Sequence, residues 1–342
     1  MTKLSSNLIL GVTFLLGIGL AFWQLYGEQL RNFFPNYAPA PVSETILRQE
    51  NGSLALTLKP LDPADAHAGV YSYSFDTNQL SVVDTRHDFF APSFSTDNRT
   101  AVVTESGGTD YGLYIAQNNS RRDPELFIPP SPAITAGASQ WSKDNMHIVY
   151  EARTALPSVD DISIANSRIV LGDTSTSTNK QVILDTGTSP LFQNNGSILY
   201  LKEDGVYRMT TNSMSPSAPE RILYFDGYTV TTQSRIALSP DEKYLAVTNP
   251  ATPHLDVYKI MHPESADVVP VRVLSETNIA FWPVFSPDSK SLAYIRYAFN
   301  GAGQVAGKNI SVYDLNTGTS RVLFDLTSFA DDYLSLTSWT TK

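Results

Sequence analysis

The chain has 342 residues, of which 42% are hydrophobic and none is cysteine, and its formal net charge is −10. Without cysteine it cannot form disulfides, thiolate metal sites or a cysteine nucleophile. The acidic balance argues against nucleic acid as a partner and against electrostatic docking on anionic lipid.

The first predicted element is the uncharged apolar segment from Ser5 to Gly27. About 20 helical residues cross a hydrocarbon core of roughly 30 Å, so residues 1–28 are predicted to form a transmembrane anchor in the lipid bilayer. A cleaved signal peptide is the alternative, with Lys3 as its basic region and Gly19-Leu20-Ala21 as its cleavage site. Either interpretation places the rest of the chain outside the cytoplasm. The anchor predicts a single-pass membrane protein that faces the periplasm or cell surface, and the signal peptide predicts a secreted protein.

Residues 29–50 follow as a predicted spacer. Pro35, Pro39 and Pro41 break any helix in this segment and favour an extended, semi-rigid backbone. We expect the spacer to hold the following domain away from the bilayer.

Residues 51–342 contain a motif that recurs at nearly constant spacing: an aromatic residue or leucine, a polar turn, and then a short apolar strand. The copies begin at Phe94, Trp141, Phe192, Leu238 and Phe285, at steps of 47, 51, 46 and 47 residues. A fixed period of about 40 to 50 residues is typical of propellers and solenoids.

The copy that begins at Phe285 shows the internal pattern of a repeat. The turn Ser286-Pro287-Asp288-Ser289 is followed by apolar strands at Ser291–Ile295, Ile310–Leu315 and Arg321–Phe324. Proline at the second position of a turn fixes φ near about −65°, and an aspartate there accepts hydrogen bonds from backbone amides two residues on. Four short antiparallel strands per repeat predict one propeller blade.

The two ends of this domain complement each other. Outer-strand patterns occur at Ser53–Leu58 and Gly69–Asp84, whereas Leu336–Thr340 has the pattern of an inner strand. Five whole repeats and one shared between the ends predict a closed ring, which removes sheet edges. The predicted fold class is therefore all-β: a six-bladed β-propeller of four-stranded antiparallel blades, preceded by a transmembrane helix.

The sequence of these repeats resembles a known family. The run from Phe285 to Tyr294, with Asp314-Leu315-Asn316-Thr317-Gly318 after it, is similar to the WD-type repeat of TolB-like six-bladed propellers, and the resemblance covers residues 53–342. It implies a propeller that binds proteins. We expect no counterpart of the α/β domain that precedes the TolB propeller, nor of the α/β-hydrolase domain of prolyl oligopeptidase-like enzymes.

The sequence offers few patterns typical of catalysis. The five histidines lack the spacing of a metal site, and no G-x-S-x-G or glycine-rich phosphate motif occurs. The repeated acids Asp97, Asp144, Asp241 and Asp288 lie at hairpin turns, where an aspartate accepts backbone N–H groups. We therefore predict no catalytic residue, no metal site and no cofactor, and we expect the chain not to be an enzyme.

Aromatic residues gather in the loops that enter the inner strands. In a propeller these loops surround the central channel on one face, and aromatic rings supply a large contact area at small entropic cost. The alternative is that the rings pack between neighbouring blades. The candidate partner-binding residues are Phe89, Phe90, Phe281, Trp282 and Tyr333.

These patterns together predict a membrane-anchored propeller outside the cytoplasm that serves as a non-catalytic, protein-binding scaffold in a cell-envelope or surface assembly. A carbohydrate- or peptide-binding sensor is one alternative. A propeller hydrolase or lyase with a site in the central channel is another, and a cluster of His, Glu and Arg side chains on the inner strands would favour it.

Overall fold

The computed structural model describes the chain from Gly52 to Thr340 with gaps. The predicted anchor or signal peptide (residues 1–28) and the predicted spacer (residues 29–50) lie outside the described residues. Within the described residues, no helix has the length and hydrophobicity needed to span a bilayer. The described ranges are 52–61, 69–84, 89–95, 100–107, 110–117, 125–131, 134–154, 164–175, 180–212, 215–225, 230–249, 254–261, 270–276, 279–300, 305–330 and 334–340.

Strands make up almost all the regular structure of these residues, beside a 3₁₀ turn at Ile164–Asn166. In chain order the strands are β1 (Ser53–Leu58), β2 (Gly69–Ser74), β3 (Gln79–Asp84), β4 (Phe89–Phe94), β5 (Thr100–Gly107), β6 (Asp110–Gln117), β7 (Glu125–Ser131), β8 (Ile134–Trp141), β9 (His147–Thr154), β10 (Ser167–Asp173), β11 (Gln181–Thr186), β12 (Thr188–Phe192), β13 (Ile198–Lys202), β14 (Gly205–Met209), β15 (Thr211–Asn212), β16 (Ser215–Pro216), β17 (Glu220–Tyr224), β18 (Arg235–Leu238), β19 (Tyr244–Asn249), β20 (His254–Ile260), β21 (Pro270–Glu276), β22 (Ile279–Phe285), β23 (Ser291–Phe299), β24 (Val305–Asp314), β25 (Thr319–Asp325) and β26 (Ser335–Thr340).

The strands form an all-β propeller with four-stranded antiparallel blades, but the described strands form five blade sheets, not six. Four sheets have four strands each, in the orders β26-β1-β2-β3, β12-β13-β14-β17, β18-β19-β20-β21 and β22-β23-β24-β25, and the fifth runs from β4 to β11. The prediction of six separate blades is wrong in number because β7 and β8 pair at Ser131 and Ile134 and so join eight strands in one sheet. A two-stranded ribbon, β15-β16, lies between β14 and β17 in the chain.

The last strand pairs with the first. Strand β26 runs antiparallel to β1, with Leu54 opposite Trp339. The hydroxyls of Thr57 and Ser335 lie 2.8 Å apart in a buried hydrogen bond, and the rings of Phe75 and Trp339 stack with their centroids 4.7 Å apart. The two ends of the domain are therefore held in one sheet by backbone pairing and ring packing.

The hydrophobic core lies between neighbouring sheets, and the second and third strands of the blades supply most of it. In β13 the run Ile198-Leu199-Tyr200-Leu201 has no exposed surface, and Leu292 and Tyr294 of β23 are equally buried. A strand covered on both faces reads as a continuous apolar run, not as an alternating one. Closely packed faces of this kind fix the inner strands in place.

The recurring polar turn has the structural role predicted for it. In the copy that follows β18, the Asp241 carboxylate accepts hydrogen bonds from the Ser239 hydroxyl at 2.7 Å and the Lys243 amide at 3.2 Å. Asp144 and Asp288 make the same contacts in their turns. The hydrogen bond from Ser142 is the main reason that the pKa of Asp144 lies below its ordinary value. Asp97 lies outside the described residues.

Candidate functional site

A cavity of about 510 Å³ lies where the first strands of the blades meet. We call β4, β8, β12, β18, β22 and β26 the inner strands and this space the central cavity. Each inner strand contributes at least one lining residue; examples are Pro92, Gln140, Leu191, Arg235, Trp282 and Ser338. Its volume is within the roughly 300–1,000 Å³ of ordinary ligand pockets.

Two inner strands have a bulge at residues that line the cavity. In β22 the residues Trp282 and Pro283 oppose a single residue of β23, and in β12 the residues Ser189 and Pro190 oppose one residue of β13. Proline has no N–H for the ladder, so it is tolerated at such a bulge. Ser189 and Trp282 have φ of 53° and 54°, a region that non-glycine residues seldom adopt and that often marks functional sites.

A buried charge cluster adjoins the central cavity on the side where the inner strands begin. The Glu151 carboxylate has no exposed surface and accepts hydrogen bonds from the Arg153 Nε at 2.6 Å, the Ser167 hydroxyl at 2.7 Å and the Thr188 hydroxyl at 2.7 Å. The second guanidinium, Arg235, donates through Nη1 to backbone carbonyls. We call Glu151, Arg153 and Arg235 the charge cluster.

Glu151 and Arg235 are both ionised near neutral pH. Burial opposes ionisation of Glu151, but Arg153 and Arg235, with the hydrogen bonds from Arg153 and Ser167, hold the pKa of this carboxyl below its ordinary value. Burial lowers the pKa of Arg235 to about 10; the Glu151 charge opposes this change and the Arg153 charge adds to it. One carboxylate therefore faces two guanidinium groups.

Trp282 connects the charge cluster to the cavity wall. The Arg235 guanidinium lies over the Trp282 ring, 4.4 Å from its centroid, in the geometry of a cation–π contact. Both residues line the central cavity. The site thus combines an aromatic ring, a buried cation and the apolar ends of several strands.

The opposite side of the central cavity is formed by the polar turns. Asn194 donates through its side-chain amide to the Pro240 carbonyl at 3.1 Å, and its backbone amide donates to the Glu242 carboxylate. The Asp241 amide donates to the Ser289 hydroxyl at 3.0 Å. These contacts join the turns of successive blades around the cavity rim.

The structure places the predicted partner-binding residues in different surroundings. Trp282 lines the central cavity, whereas the Phe281 ring packs edge-on against Tyr297 of the adjacent strand, with centroids 5.6 Å apart. Phe89 and Phe90 begin β4, and only their backbone is described. Tyr333 lies outside the described residues.

Sequence reasoning missed the charge cluster. Glu151 and Arg153 lie on β9, a second strand that otherwise begins with the apolar run Ile148-Val149-Tyr150, and Arg235 opens an inner strand. The sequence did contain one signal, a charged residue within a strand predicted to be buried on both faces. Because a buried charge is almost always paired, this residue indicates a charged partner nearby. In the part of the chain that the structure describes, no group of three His, Cys, Asp or Glu residues is arranged to hold a metal ion.

Comparisons with known proteins support the fold. No protein-family model and no curated protein matches the chain. Among solved structures, TolB from Acinetobacter baumannii is similar with a TM-score of 0.58 and 16% identity, over 85% of this chain and 67% of that one. A nidogen/laminin complex is similar with a TM-score of 0.55 and 10% identity, over 84% and 97% of the two chains. At such identities the similarity shows a TolB-like β-propeller fold.

One further neighbour corrects the prediction that the chain is not an enzyme. The periplasmic gluconolactonase PpgL from Pseudomonas aeruginosa matches with a TM-score of 0.53 and 10% identity, over 84% of this chain and 100% of that one. A propeller of this architecture can therefore be an enzyme. The expectation of a non-catalytic chain does not stand, because it rested only on missing sequence motifs.

Proposed function

We propose that this chain is a protein-binding β-propeller whose central cavity takes an extended segment of a partner protein. The observation that supports this most is the cavity itself, where Trp282 and apolar ends of the inner strands surround a buried cation. Aromatic and arginine side chains in desolvated pockets dominate binding energy at protein interfaces. The TolB and nidogen/laminin neighbours are consistent with such a role.

The backbone of the inner strands also suits an extended partner. Strands β12, β18, β22 and β26 each lie at the end of their sheet order, so one side of each has no neighbouring strand in that sheet. Edge strands offer N–H and C=O groups to an added segment.

The proposed location is outside the cytoplasm. Its support is the apolar segment from Ser5 to Gly27, which has the length of a membrane-spanning helix. We propose that this segment anchors the propeller in the bilayer and that the partners belong to a cell-envelope or surface assembly.

A cross-linked pull-down with the tagged full-length chain from the membranes of its own cells tests the proposal. The test variant is Trp282→Ala, alone and with Phe281→Ala. The matched control is Tyr224→Ala, which removes an exposed ring from the outer strand β17. A partner recovered by the wild type and the control but lost by Trp282→Ala supports binding in the cavity; equal recovery by all variants contradicts it.

A hydrolase with its site in the same cavity is the second candidate. The charge cluster favours it, because it places Arg235 of the inner strand β18 beside Glu151 and Arg153 of the second strand β9. The gluconolactonase neighbour agrees with it. A pH-stat assay with gluconolactone, comparing the wild type with Arg235→Gln, tests this candidate: turnover that Arg235→Gln abolishes supports it, and a rate equal to the uncatalysed one contradicts it.

A further inference from the structure

Opposite charges lie on opposite sides of the central cavity. Among the described residues that line it, Arg235 is the one cation and Glu242 the one carboxylate. Arg235 opens β18 and Glu242 lies in the turn after β18, so at about 3.3 Å per residue they are roughly 10 Å or more apart along the strand. An anionic group entering the cavity is attracted to the Arg235 side and repelled from the Glu242 side.

The Arg235 side has more positive than negative charge. The one carboxylate of the charge cluster, Glu151, is hydrogen-bonded to Arg153 at 2.6 Å. Arg235 instead donates through Nη1 to the carbonyls of Thr232 at 2.7 Å and Ser234 at 2.8 Å. Carbonyl oxygens carry no net charge, so the cluster keeps a net charge of about +1 near neutral pH.

Two residues that line the cavity each have a buried donor with no acceptor among the described residues. These donors are the Nε of Arg235, a residue only 8% exposed, and the hydroxyl of Ser338 on β26. Buried donors in folded proteins are nearly always satisfied, and a donor without a partner leaves part of the Arg235 hydrogen-bonding capacity unused. The Trp282 ring beneath the guanidinium, 4.4 Å away, holds the Arg235 plane in one orientation.

We infer that the Arg235 side of the central cavity binds a carboxylate of the extended partner segment, with the Arg235 guanidinium as its main donor. This inference rests on the proposed protein-binding function and names the chemistry that the cavity recognises. The carboxylate is either the C-terminal group of the partner or an Asp or Glu side chain within the segment. Glu242 on the far side orients the segment, because it disfavours the reverse placement.

A binding selection with random octapeptides tests the inference. Three pools are presented to the immobilised full-length chain: peptides without Asp or Glu but with free C-terminal carboxylates, peptides with Asp and Glu but with amidated ends, and peptides without any carboxylate. Arg235→Gln is the test variant. Arg221→Gln is the matched control, because it removes an arginine of the outer strand β17 that pairs with Asp204 away from the cavity.

We expect one carboxylate-bearing pool to be enriched about tenfold or more over the neutral pool, because charge-assisted hydrogen bonds to a buried guanidinium are strong. The pool that is enriched identifies the source of the carboxylate. Arg235→Gln should lose this preference and Arg221→Gln should keep it. Equal enrichment of all three pools, or no enrichment of any, overturns the inference. Because this result comes from the wild-type chain alone, it holds even if Arg235→Gln fails to fold. A pull-down partner that still depends on Trp282 would then leave the proposed function intact.

Discussion

Replacing Glu151 by glutamine should destabilise the propeller strongly, although the side chain keeps its shape. The carboxylate is fully buried and accepts hydrogen bonds from Arg153, Ser167 and Thr188. An amide in its place removes the negative charge between Arg153 and Arg235 and points N–H donors at groups that are themselves donors. The two guanidinium groups then repel each other without compensation.

The size of this effect follows from the burial of the pair. Removing one partner of a buried ion pair costs about 3–5 kcal/mol, and because the Arg153 side chain is 30% exposed, we expect the lower end, about 3 kcal/mol. With a urea m-value of about 3 kcal/mol/M for a domain of this size, the unfolding midpoint should fall by about 1 M. Urea unfolding followed by tryptophan fluorescence measures this shift.

An exposed ion pair provides the control for Glu151→Gln. Glu220 pairs with Arg208 at 2.7 Å and its side chain is 44% exposed, so Glu220→Gln should change the free energy of unfolding by less than about 1 kcal/mol. If Glu151→Gln costs no more than Glu220→Gln, the charge cluster is not the buried, compensated network described here.

The remaining predictions concern pH, strand packing and ring closure. Since the folded-state pKa of Glu151 lies below its ordinary value of 4.5, its stabilisation is present above about pH 4.5 and is lost as the pH falls through the folded-state pKa. The difference in unfolding free energy between wild type and Glu151→Gln should therefore shrink in acid. A constant difference in urea titrations between pH 7 and pH 3 would contradict this. Gly205→Ala should lower the melting temperature by preventing proper pairing of β14 with β17, because its Cβ would lie 2.0 Å from the Leu223 carbonyl oxygen. The control is Gly307→Ala, whose Cβ meets nothing within 4 Å and which should change the melting temperature little. Trp339→Ala removes the side-chain ring stacked on Phe75 and should lower the free energy of unfolding by about 3–5 kcal/mol. A melting temperature equal to that of the wild type would show that this contact does not hold the two ends of the propeller together.

The repeat period and the turn chemistry predicted most of the fold, because both depend on local sequence. The strand at Ser53–Leu58 has the predicted bounds, and the Asp241 turn has the predicted hydrogen bonds. The third strand of the last repeat was predicted at Ile310–Leu315, but β24 begins at Val305. Its first residues have no apolar alternation and are held by pairing with the extended end of β23, which a local pattern does not reveal.

The candidate site was harder to predict because its parts come from distant repeats. Glu151 and Arg235 are 84 positions apart in the sequence, and neither belongs to a short motif. The number of sheets was also missed, since the single pairing of Ser131 with Ile134 depends on how two neighbouring repeats pack. Trp282 was singled out as an aromatic residue in a loop, but its contact with Arg235 follows from the positive φ and bulge of β22.

Site-specific photo-cross-linking in living cells shows whether a partner protein occupies the central cavity. p-Benzoylphenylalanine is placed at Trp282 in the cavity and, in a second strain, at Tyr224 on the outer strand β17. We expect a discrete cross-linked product from position 282 that disappears when Arg235→Gln is added, and none of the same size from position 224. The same product from both positions, or a product from position 224 alone, would contradict it.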